Sequence, residues 1–309
     1  MTRFKWNDIL NKNRIKEYKS AKKNFDGRDE FENDYDRILF SASFRRLQDK
    51  AQVFPLEKLD FVRTRLTHSL EVSSIGKSLG MIIGLQLIPL TKGTDDEINF
   101  QMVEEIGNVL SCAGLIHDLG NPPFGHFGEV AIREWFASKL KKNKDGSFYF
   151  KFEEYEFKLE RQEALDLLNF EGNAQGLRIL TKLHFVIDRY GMNLTTGVLN
   201  SIIKYPISSL ELGNKKFGGK KIGYFKAEEN TFNYIVNSTK IGKNRNPLVY
   251  ILEAADDIAY LLGDLEDAFS KKIFSHELFK NKYREFIKEE GYEEKTLEES
   301  LSFRSEERR

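Results

Sequence analysis

A histidine is followed directly by an aspartate at His117-Asp118, the one such pair in the chain. An imidazole and a carboxylate can bind the same divalent cation, and water bound to such a cation becomes a nucleophile. Neighbouring side chains on a helix diverge by about 100°, so both reach one ion only where the backbone is fixed. The pair therefore indicates metal-assisted hydrolysis at the end of a helix.

The residues on either side of the pair predict that helix end. Apolar residues recur at helical spacing over 102–117, and the Gly120-Asn121-Pro122-Pro123 run stops a helix. We therefore expect the pair where a core helix opens into a loop. The single cysteine, Cys112, lies in the same apolar stretch and predicts a buried, inert thiol.

Two distant residues could complete a set of metal ligands. His68 lies at the entrance of a helix predicted over 66–88, and Asp256 lies on a helix predicted over 247–270. Asp256 stands in an apolar run, where an unpaired buried carboxylate is costly, so we expect it on a buried face beside a metal. A lone histidine on such a helix is more often a packing residue, so His68 gains weight only from the other ligands. Two imidazoles and two carboxylates suit a borderline or hard divalent ion and leave positions for water or a phosphate oxygen.

His126 and Glu129 form a second pair, three residues apart at the start of a helix predicted over 127–140. An imidazole that is oriented by a carboxylate, close to a metal but not bound to it, is typical of a general acid or base in phosphate-ester cleavage. The alternative interpretation is a helix-capping pair on the protein surface.

The remaining pattern predicts a mainly α protein. Further helical periodicity covers 173–189, 195–204 and 227–237, whereas 146–159 alternates aromatic and polar residues and predicts a small β-hairpin or extended flap. A glycine- and lysine-rich stretch at 213–223 predicts a basic loop, which is either simply solvated or binds an anion.

Composition limits the partners. The 309 residues include 48 basic and 48 acidic side chains, so the net charge is zero and does not favour nucleic acid or a membrane as an obligatory partner. The apolar stretch at 81–90 is about half as long as a membrane span, and the N-terminus lacks a signal-peptide core. We expect a soluble, cytoplasmic protein with no membrane partner.

In their order along the chain, these motifs resemble the deoxyguanosine triphosphate triphosphohydrolases of the HD-domain superfamily. The resemblance covers roughly residues 30–270. The stretches that carry it are 44–50 (FRRLQDK), 53–55 (VFP), 64–69 (TRLTHS), 114–129 (GLIHDLGNPPFGHFGE), 169–175 (NFEGNAQ), 204–206 (KYP), 223–228 (GYFKAE) and 253–260 (EAADDIAY).

The resemblance implies an HD-type helical fold and a reaction in which water attacks the α-phosphorus of a deoxynucleoside triphosphate. The products would be a deoxynucleoside and intact triphosphate. It implies one divalent metal ion, with Mg, Mn, Fe and Zn all left open, and a catalytic pair formed by His126 and Glu129. The implied metal ligands are His68, His117, Asp118 and Asp256.

The resemblance also implies substrate contacts. Gln48 and Asp264 match positions near the sugar, and Tyr260 would pack on the sugar or base. Arg65 and Lys204 match positions that hold phosphate oxygens, and we assign the adjacent Tyr205 to substrate binding with them. On the residues alone, Asp256, Tyr260 and Asp264 follow one stripe of one helix at a spacing of four.

For domain organisation we expect one HD-type domain over 1–285, with its metal-binding core at about 60–270. The charged segment at 286–309 would be the start of a missing or shortened C-terminal helical region, which family members usually carry. The resemblance further implies a homo-oligomer, often a hexamer, and a nucleotide or single-stranded DNA effector.

Two other functions stay open. Another HD phosphohydrolase could use the same ligands on nucleoside monophosphates, cyclic nucleotides or alarmones. The chain could also be a nucleotide- or nucleic-acid-binding regulatory module without turnover.

Overall fold

The computed structural model describes residues 4–17, 27–56, 61–184, 190–213 and 219–289. These residues are mostly helical, as predicted. They form two compact units, the first from the described parts of Met1–Lys58 and Arg63–Tyr260, the second from those of Leu59–Val62 and Leu261–Arg309. The predicted domain boundary at residue 285 stays a prediction, and residues 290–309 lie outside the described ones.

The helices follow one another along the chain with a small sheet between the sixth and seventh. The first unit contains α1 (Trp6–Ile9), α2 (Glu30–Leu39), α3 (Ala42–Arg45), α4 (Arg65–Thr91), α5 (Phe100–Ile116), α6 (His126–Lys139), α7 (Arg161–Leu168), α8 (Gly172–Arg178), α9 (Thr196–Ser201), α10 (Glu229–Ser238) and the part of α11 (Pro247–Ser270) up to Tyr260. The rest of α11 and α12 (His276–Glu289) belong to the second unit.

Helices α4 and α5 form the centre of the first unit. Helix α5 is buried along most of its length, and α2 and α9 pack against it. A Cβ atom on Gly114 would lie 2.5 Å from the backbone of Ser73, so only glycine allows the two helices to approach this closely. This contact brings the end of α5 beside the first turns of α4.

Side-chain caps define the starts of both helices. The Thr64 hydroxyl accepts a hydrogen bond from the Thr67 amide at the start of α4, and Asn99 Oδ1 accepts one from the Met102 amide, 2.9 Å away, at the start of α5. Helix α5 ends at Ile116, so the predicted opening of a core helix into a loop at the His-Asp pair is confirmed.

The other predicted helices agree with the structure to different extents. The predictions over 66–88, 127–140 and 247–270 match α4, α6 and α11. The one over 173–189 is interrupted, because α8 ends at Arg178 and passes into a π-helical turn, Ile179–Leu183; residues 185–189 lie outside the described ones. The predictions over 195–204 and 227–237 correspond to α9, which is shorter, and to α10. Helices α1, α2, α3, α7 and α12 were not predicted.

The predicted hairpin is present, with a third strand added. Strands β1 (Leu140–Lys142), β2 (Phe148–Phe152) and β3 (Tyr155–Leu159) form an antiparallel sheet in the order β1-β2-β3. The turn between β2 and β3 contains Glu153 with a positive φ of 52°. Strand β1 was not predicted, because it directly follows the helical pattern over 127–140 and its first residue, Leu140, falls within that pattern.

Helix α4, with 27 residues, is long and apolar enough to cross a bilayer by length and composition alone. A single helix of this kind is weak grounds for a membrane protein, since core helices of soluble proteins pass the same test. The expected absence of a membrane partner stays a prediction.

Candidate active site

Two histidines meet where α4 begins and α5 ends. The ring centres of His68 and His117 are 5.4 Å apart, with an angle of 66° between the planes, and both residues are buried. The Nδ1 atom of His117 lies 2.8 Å from the carbonyl oxygen of Gly114, which accepts its hydrogen bond and leaves Nε2 free to act as a metal ligand. In the described part of the chain, this buried Nε2 has no hydrogen-bond partner.

Two carboxylates face the same space. The Oδ1 atom of Asp256, on α11, lies 3.0 Å from His68 Nε2 and 3.4 Å from His117 Nε2. Asp118 Oδ1 lies 3.6 Å from His117 Nε2, and ligand atoms of His68, His117 and Asp118 all lie within 4.8 Å of one another. The structure thus brings all four predicted ligands together, and the buried nitrogen without a partner fits a divalent metal ion.

The charges of the site favour ionised carboxylates. Burial alone would raise the pKa of Asp118, but the positive charges of His117 and Arg65 outweigh it and hold that pKa below its usual value. Burial also opposes ionisation of Asp256, yet the imidazoles of His117 and His68 hold its pKa far below the usual range. Both carboxylates are therefore ready to bind a cation.

Asp256 is less deeply buried than we predicted. Its side chain is 27% exposed, and Ile258 on the same apolar run is 40% exposed. The run predicted a buried face, and among its apolar residues Leu252, Ala255 and Ala259 are buried whereas Ile258 is exposed. The open side of Asp256 is consistent with access for a substrate.

Asp118 is held by two neighbours. The Arg65 guanidinium donates to its Oδ2, and Asn121 Nδ2 donates to its Oδ1 over 2.5 Å. Lys50 links these two donors, because its carbonyl accepts from the Arg65 amide at 2.9 Å and its ammonium donates to the Asn121 carbonyl at 2.8 Å. These contacts fix the backbone after the helix end, as binding of one ion by adjacent residues requires.

Gly125 connects the candidate metal ligands to the His126–Glu129 pair. Its φ is +53°, and a Cβ atom there would lie 2.9 Å from Arg65 Nη2. The backbone conformation therefore favours glycine, and a Cβ atom there would make the guanidinium shift. Because α6 begins at the next residue, His126 starts its helix beside the arginine that holds Asp118.

His126 and Glu129 are paired as predicted. His126 Nδ1 lies 3.0 Å from Glu129 Oε2. The other oxygen of Glu129 accepts a hydrogen bond of 2.8 Å from the Gly172 amide, and Arg133 Nη2 lies 3.4 Å from Oε2. Glu129 is only 3% exposed, whereas the side chain of His126 is 81% exposed. A buried carboxylate fixed from another helix does not match a capping pair on the surface.

The predicted substrate residues are spread around this centre. Lys204 Nζ lies 3.8 Å from Asp256 Oδ2, so Lys204 and Arg65 both contact a ligand carboxylate. Tyr205 is partly buried, and this burial raises its pKa. Their predicted contacts with phosphate stay predictions.

The sugar and base contacts are not tested by this arrangement. Gln48 is exposed, and its Oε1 lies 3.4 Å from the hydroxyl of Thr64, the cap of α4. Tyr260 is 46% exposed at the end of the first unit, and Asp264 belongs to the second. All three roles stay predictions.

Four supporting residues had no assigned role in the sequence: Lys50, Asn121, Arg133 and Gly172. Of these four, only Arg133 could have been found from local spacing, because it follows Glu129 by four residues and lies on the same helix face. Its Nε donates to the carbonyl of Phe170 at 2.7 Å, which holds the guanidinium against Glu129.

A family model described as an HD domain matches residues 65–193. Four of the residues placed above, namely His68, the His117-Asp118 pair and His126, lie inside this match. By this match, the chain contains an HD domain over residues 65–193.

Relatives of this HD-domain chain carry more specific names. A "Deoxyguanosinetriphosphate triphosphohydrolase-like protein" of Listeria monocytogenes is 51% identical over 271 residues, which is 87% of this chain and 57% of the relative. One with the same name from a Synechocystis strain is 40% identical, over 86% of this chain and 60% of the relative. A "Deoxyguanosinetriphosphate triphosphohydrolase" of Yersinia enterocolitica is 38% identical, over 80% of this chain and 51% of the relative. The resemblance predicted from the motifs is confirmed, and the chain spans little more than half the length of these relatives.

Proposed function

We propose that this HD-domain chain hydrolyses a deoxynucleoside triphosphate, dGTP or dNTPs generally, at the α-phosphate to give a deoxynucleoside and triphosphate. The observation that carries the proposal is the joining of four metal-ligand side chains to the His126–Glu129 pair through Arg65 and Gly125. The names of the relatives support this substrate class.

The ligand set fits a divalent ion such as Mg, Mn, Fe or Zn. When bound, such an ion supplies charge to the phosphoryl oxygens and lowers the pKa of a coordinated water. The residues His68, His117, Asp118 and Asp256 would hold it.

The chain's own cations add to that charge. Arg65 and Lys204 each lie against a ligand carboxylate, at the edge of the space that a phosphate would enter. A guanidinium matches phosphate oxygens geometrically and a lysine acts as a point charge, so both can stabilise negative charge that develops in the transition state.

His126 is the candidate for proton transfer. Glu129 pairs with its Nδ1, which leaves Nε2 of the exposed ring for the reaction. There Nε2 can protonate the leaving 5′ oxygen or take a proton from the attacking water.

Assembly and context belong to the proposal as well. On the resemblance we propose a homo-oligomer, with a hexamer as one form, a nucleotide or single-stranded DNA effector, and a cytoplasmic location.

The test is a substrate panel. Purified protein with Mn²⁺ or Mg²⁺ is incubated with each dNTP, with nucleoside monophosphates and with cyclic nucleotides, and the products are separated by ion-exchange chromatography. Deoxynucleoside and triphosphate from a dNTP support the proposal. Release of monophosphate or diphosphate contradicts it, and hydrolysis of monophosphates alone indicates a different HD phosphohydrolase. Thermal stabilisation by dGTP without any product would indicate a regulatory module.

A further inference from the structure

The small sheet has one aromatic face that is only partly covered. The register of its strands puts alternate residues of β2 and β3 on this face, which carries Phe148, Phe150, Phe152, Tyr155, Phe157 and Leu159. On α6, Trp135 and Phe136 pack on Phe150, with ring centres 5.7 and 5.8 Å apart. The aromatic residues of β3 are less covered, since Tyr155 and Phe157 are 59% and 50% exposed.

Strand β3 is also an edge of the sheet. In the described part of the chain it pairs with β2 alone. Natural edge strands are commonly protected by proline, bulges or charged side chains. Residues 140–159 contain no proline, and the charges on β3, Glu156 and Lys158, are of opposite sign. The protection shown by this edge is therefore limited to two side chains whose opposite charges a second copy of the strand can match.

The hairpin geometry determines which backbone groups of β3 point outward. A turn of two residues joins Phe152 to Tyr155, which makes these two a hydrogen-bonded pair. Hydrogen-bonded and non-hydrogen-bonded pairs alternate along an antiparallel ladder. Glu156 and Lys158 consequently direct their N–H and C=O groups away from β2, toward a further strand.

The sequence of β3 is complementary to itself in one register. If two copies of β3 pair antiparallel with a two-fold axis at Phe157, Glu156 of each copy lies opposite Lys158 of the other. The same register sets Tyr155 opposite Leu159, so the aromatic face continues across the axis. An axis at Glu156 would bring two glutamates together, and one at Lys158 would bring two lysines together.

We propose that β3 pairs with β3 of a second copy of this chain, through a two-fold axis at Phe157, to form a six-stranded antiparallel sheet. Such an interface uses the same patch on both copies and closes on itself, which avoids open-ended assembly. Strands of five residues bury much less area than a standard interface, so we expect a weak dimer with a Kd of about 1–20 µM. The proposal does not depend on the reaction that the active site catalyses.

Disulfide trapping tests the axis. The only native cysteine, Cys112, is buried and can be replaced by alanine, after which Phe157→Cys adds one thiol on the axis. Opposed residues of a non-hydrogen-bonded pair have Cα atoms about 4.5 Å apart, within the range that a disulfide spans. We expect a covalent dimer on mild oxidation.

Phe152→Cys in the same background is the matched control. Phe152 lies on the same face with similar exposure, 46% against 50% for Phe157. It lies on β2, so the two copies of residue 152 would be separated by three strand spacings, about 14 Å. This variant should form no disulfide-linked dimer under the same oxidation, and equal trapping of both variants would overturn the proposal.

A charge exchange tests the register in the otherwise unmodified chain. Glu156→Lys and Lys158→Glu should each weaken the dimer about tenfold in sedimentation equilibrium, because each replaces two attractive cross-strand pairs by repulsive ones. The double exchange should restore association. Circular dichroism of each variant establishes that it is folded.

Three results would overturn the proposal: a wild-type chain that stays monomeric at 200 µM (about 200 times the lower bound expected for Kd), a dimer unaffected by either single exchange, or a double exchange that fails to restore it. Binding of a single-stranded oligonucleotide to the aromatic face of a monomer would count against it in the same way. None of these results bears on hydrolysis, which is measured separately.

Discussion

The Oδ1 atom of Asp256 lies 3.0 Å from the Nε2 atom of His68, although 188 residues separate them in the chain. The contact joins the middle of α11 to the first turn of α4. The close packing of α4 on α5 places His117 beside His68, and His117 Nε2 lies 3.4 Å from the same carboxylate oxygen. One carboxylate thus meets both imidazoles at the point where a cation would lie.

Asp256→Asn should remove the metal. Asparagine keeps the shape but loses the charge. Losing an outer-shell partner lowers metal affinity about 10- to 100-fold, so we expect the loss of a ligand charge to lower it by more than about 100-fold. Asp257→Asn is the matched control, because Asp257 is the neighbouring, exposed aspartate. Metal content after dialysis, measured by mass spectrometry, distinguishes the two, and equal loss from both variants would contradict the ligand assignment.

His126→Ala should abolish most turnover while the metal stays bound. Removing a general acid or base costs about 10²- to 10⁴-fold in rate. Among the described residues, the exposed ring pairs with Glu129. Its loss should therefore change the free energy of unfolding little. Steady-state kinetics together with metal analysis check this, and loss of the metal would show that His126 is a ligand.

Arg133→Ala should lower kcat about tenfold, since a hydrogen bond to a charged group contributes about 1.5 kcal/mol or more. Arg133 touches Glu129 rather than substrate, so KM and metal content should stay close to those of the wild type. Lys139→Ala, at the exposed end of the same helix, is the control. An equal loss of kcat in the Lys139→Ala variant would contradict this role.

Gly114→Ala should destabilise the fold. Its Cβ would lie 2.5 Å from the Ser73 backbone, and such overpacking costs about 1–3 kcal/mol. Gly176→Ala is the control, because the nearest atom to its Cβ would be 3.6 Å away, an ordinary contact, and alanine favours the helix. Urea denaturation compares the free energies of unfolding. Equal values for Gly114→Ala and the wild type would show that α4 and α5 can separate without cost.

Local features of the site were predictable from the sequence. The helix end at the His-Asp pair follows from a glycine and two prolines after an apolar periodic run, and the His126–Glu129 pair follows from their spacing. The hairpin was predictable because alternation over 146–159 has the period of a strand.

Long-range features were not predictable from local patterns. The residue types of His68 and Asp256 suggested one shared metal site, but no periodicity relates residues on different helices, so their contact could not be derived from local patterns. The exposure of Ile258 was missed because an apolar run indicates a helix but not what covers it. Arg133 was missed because its role depends on Gly172 and Phe170, which fold back from another segment.

The central claim is hydrolysis at the α-phosphorus by the metal centre, and isotope labelling tests it most directly. Purified protein is incubated with Mn²⁺ and dGTP in H₂¹⁸O, and the products are examined by mass spectrometry. Attack of water on the α-phosphorus predicts one ¹⁸O atom in the triphosphate and none in the deoxyguanosine, with no product from the Asp256→Asn variant. Label in deoxyguanosine, in pyrophosphate or in inorganic phosphate would contradict the account.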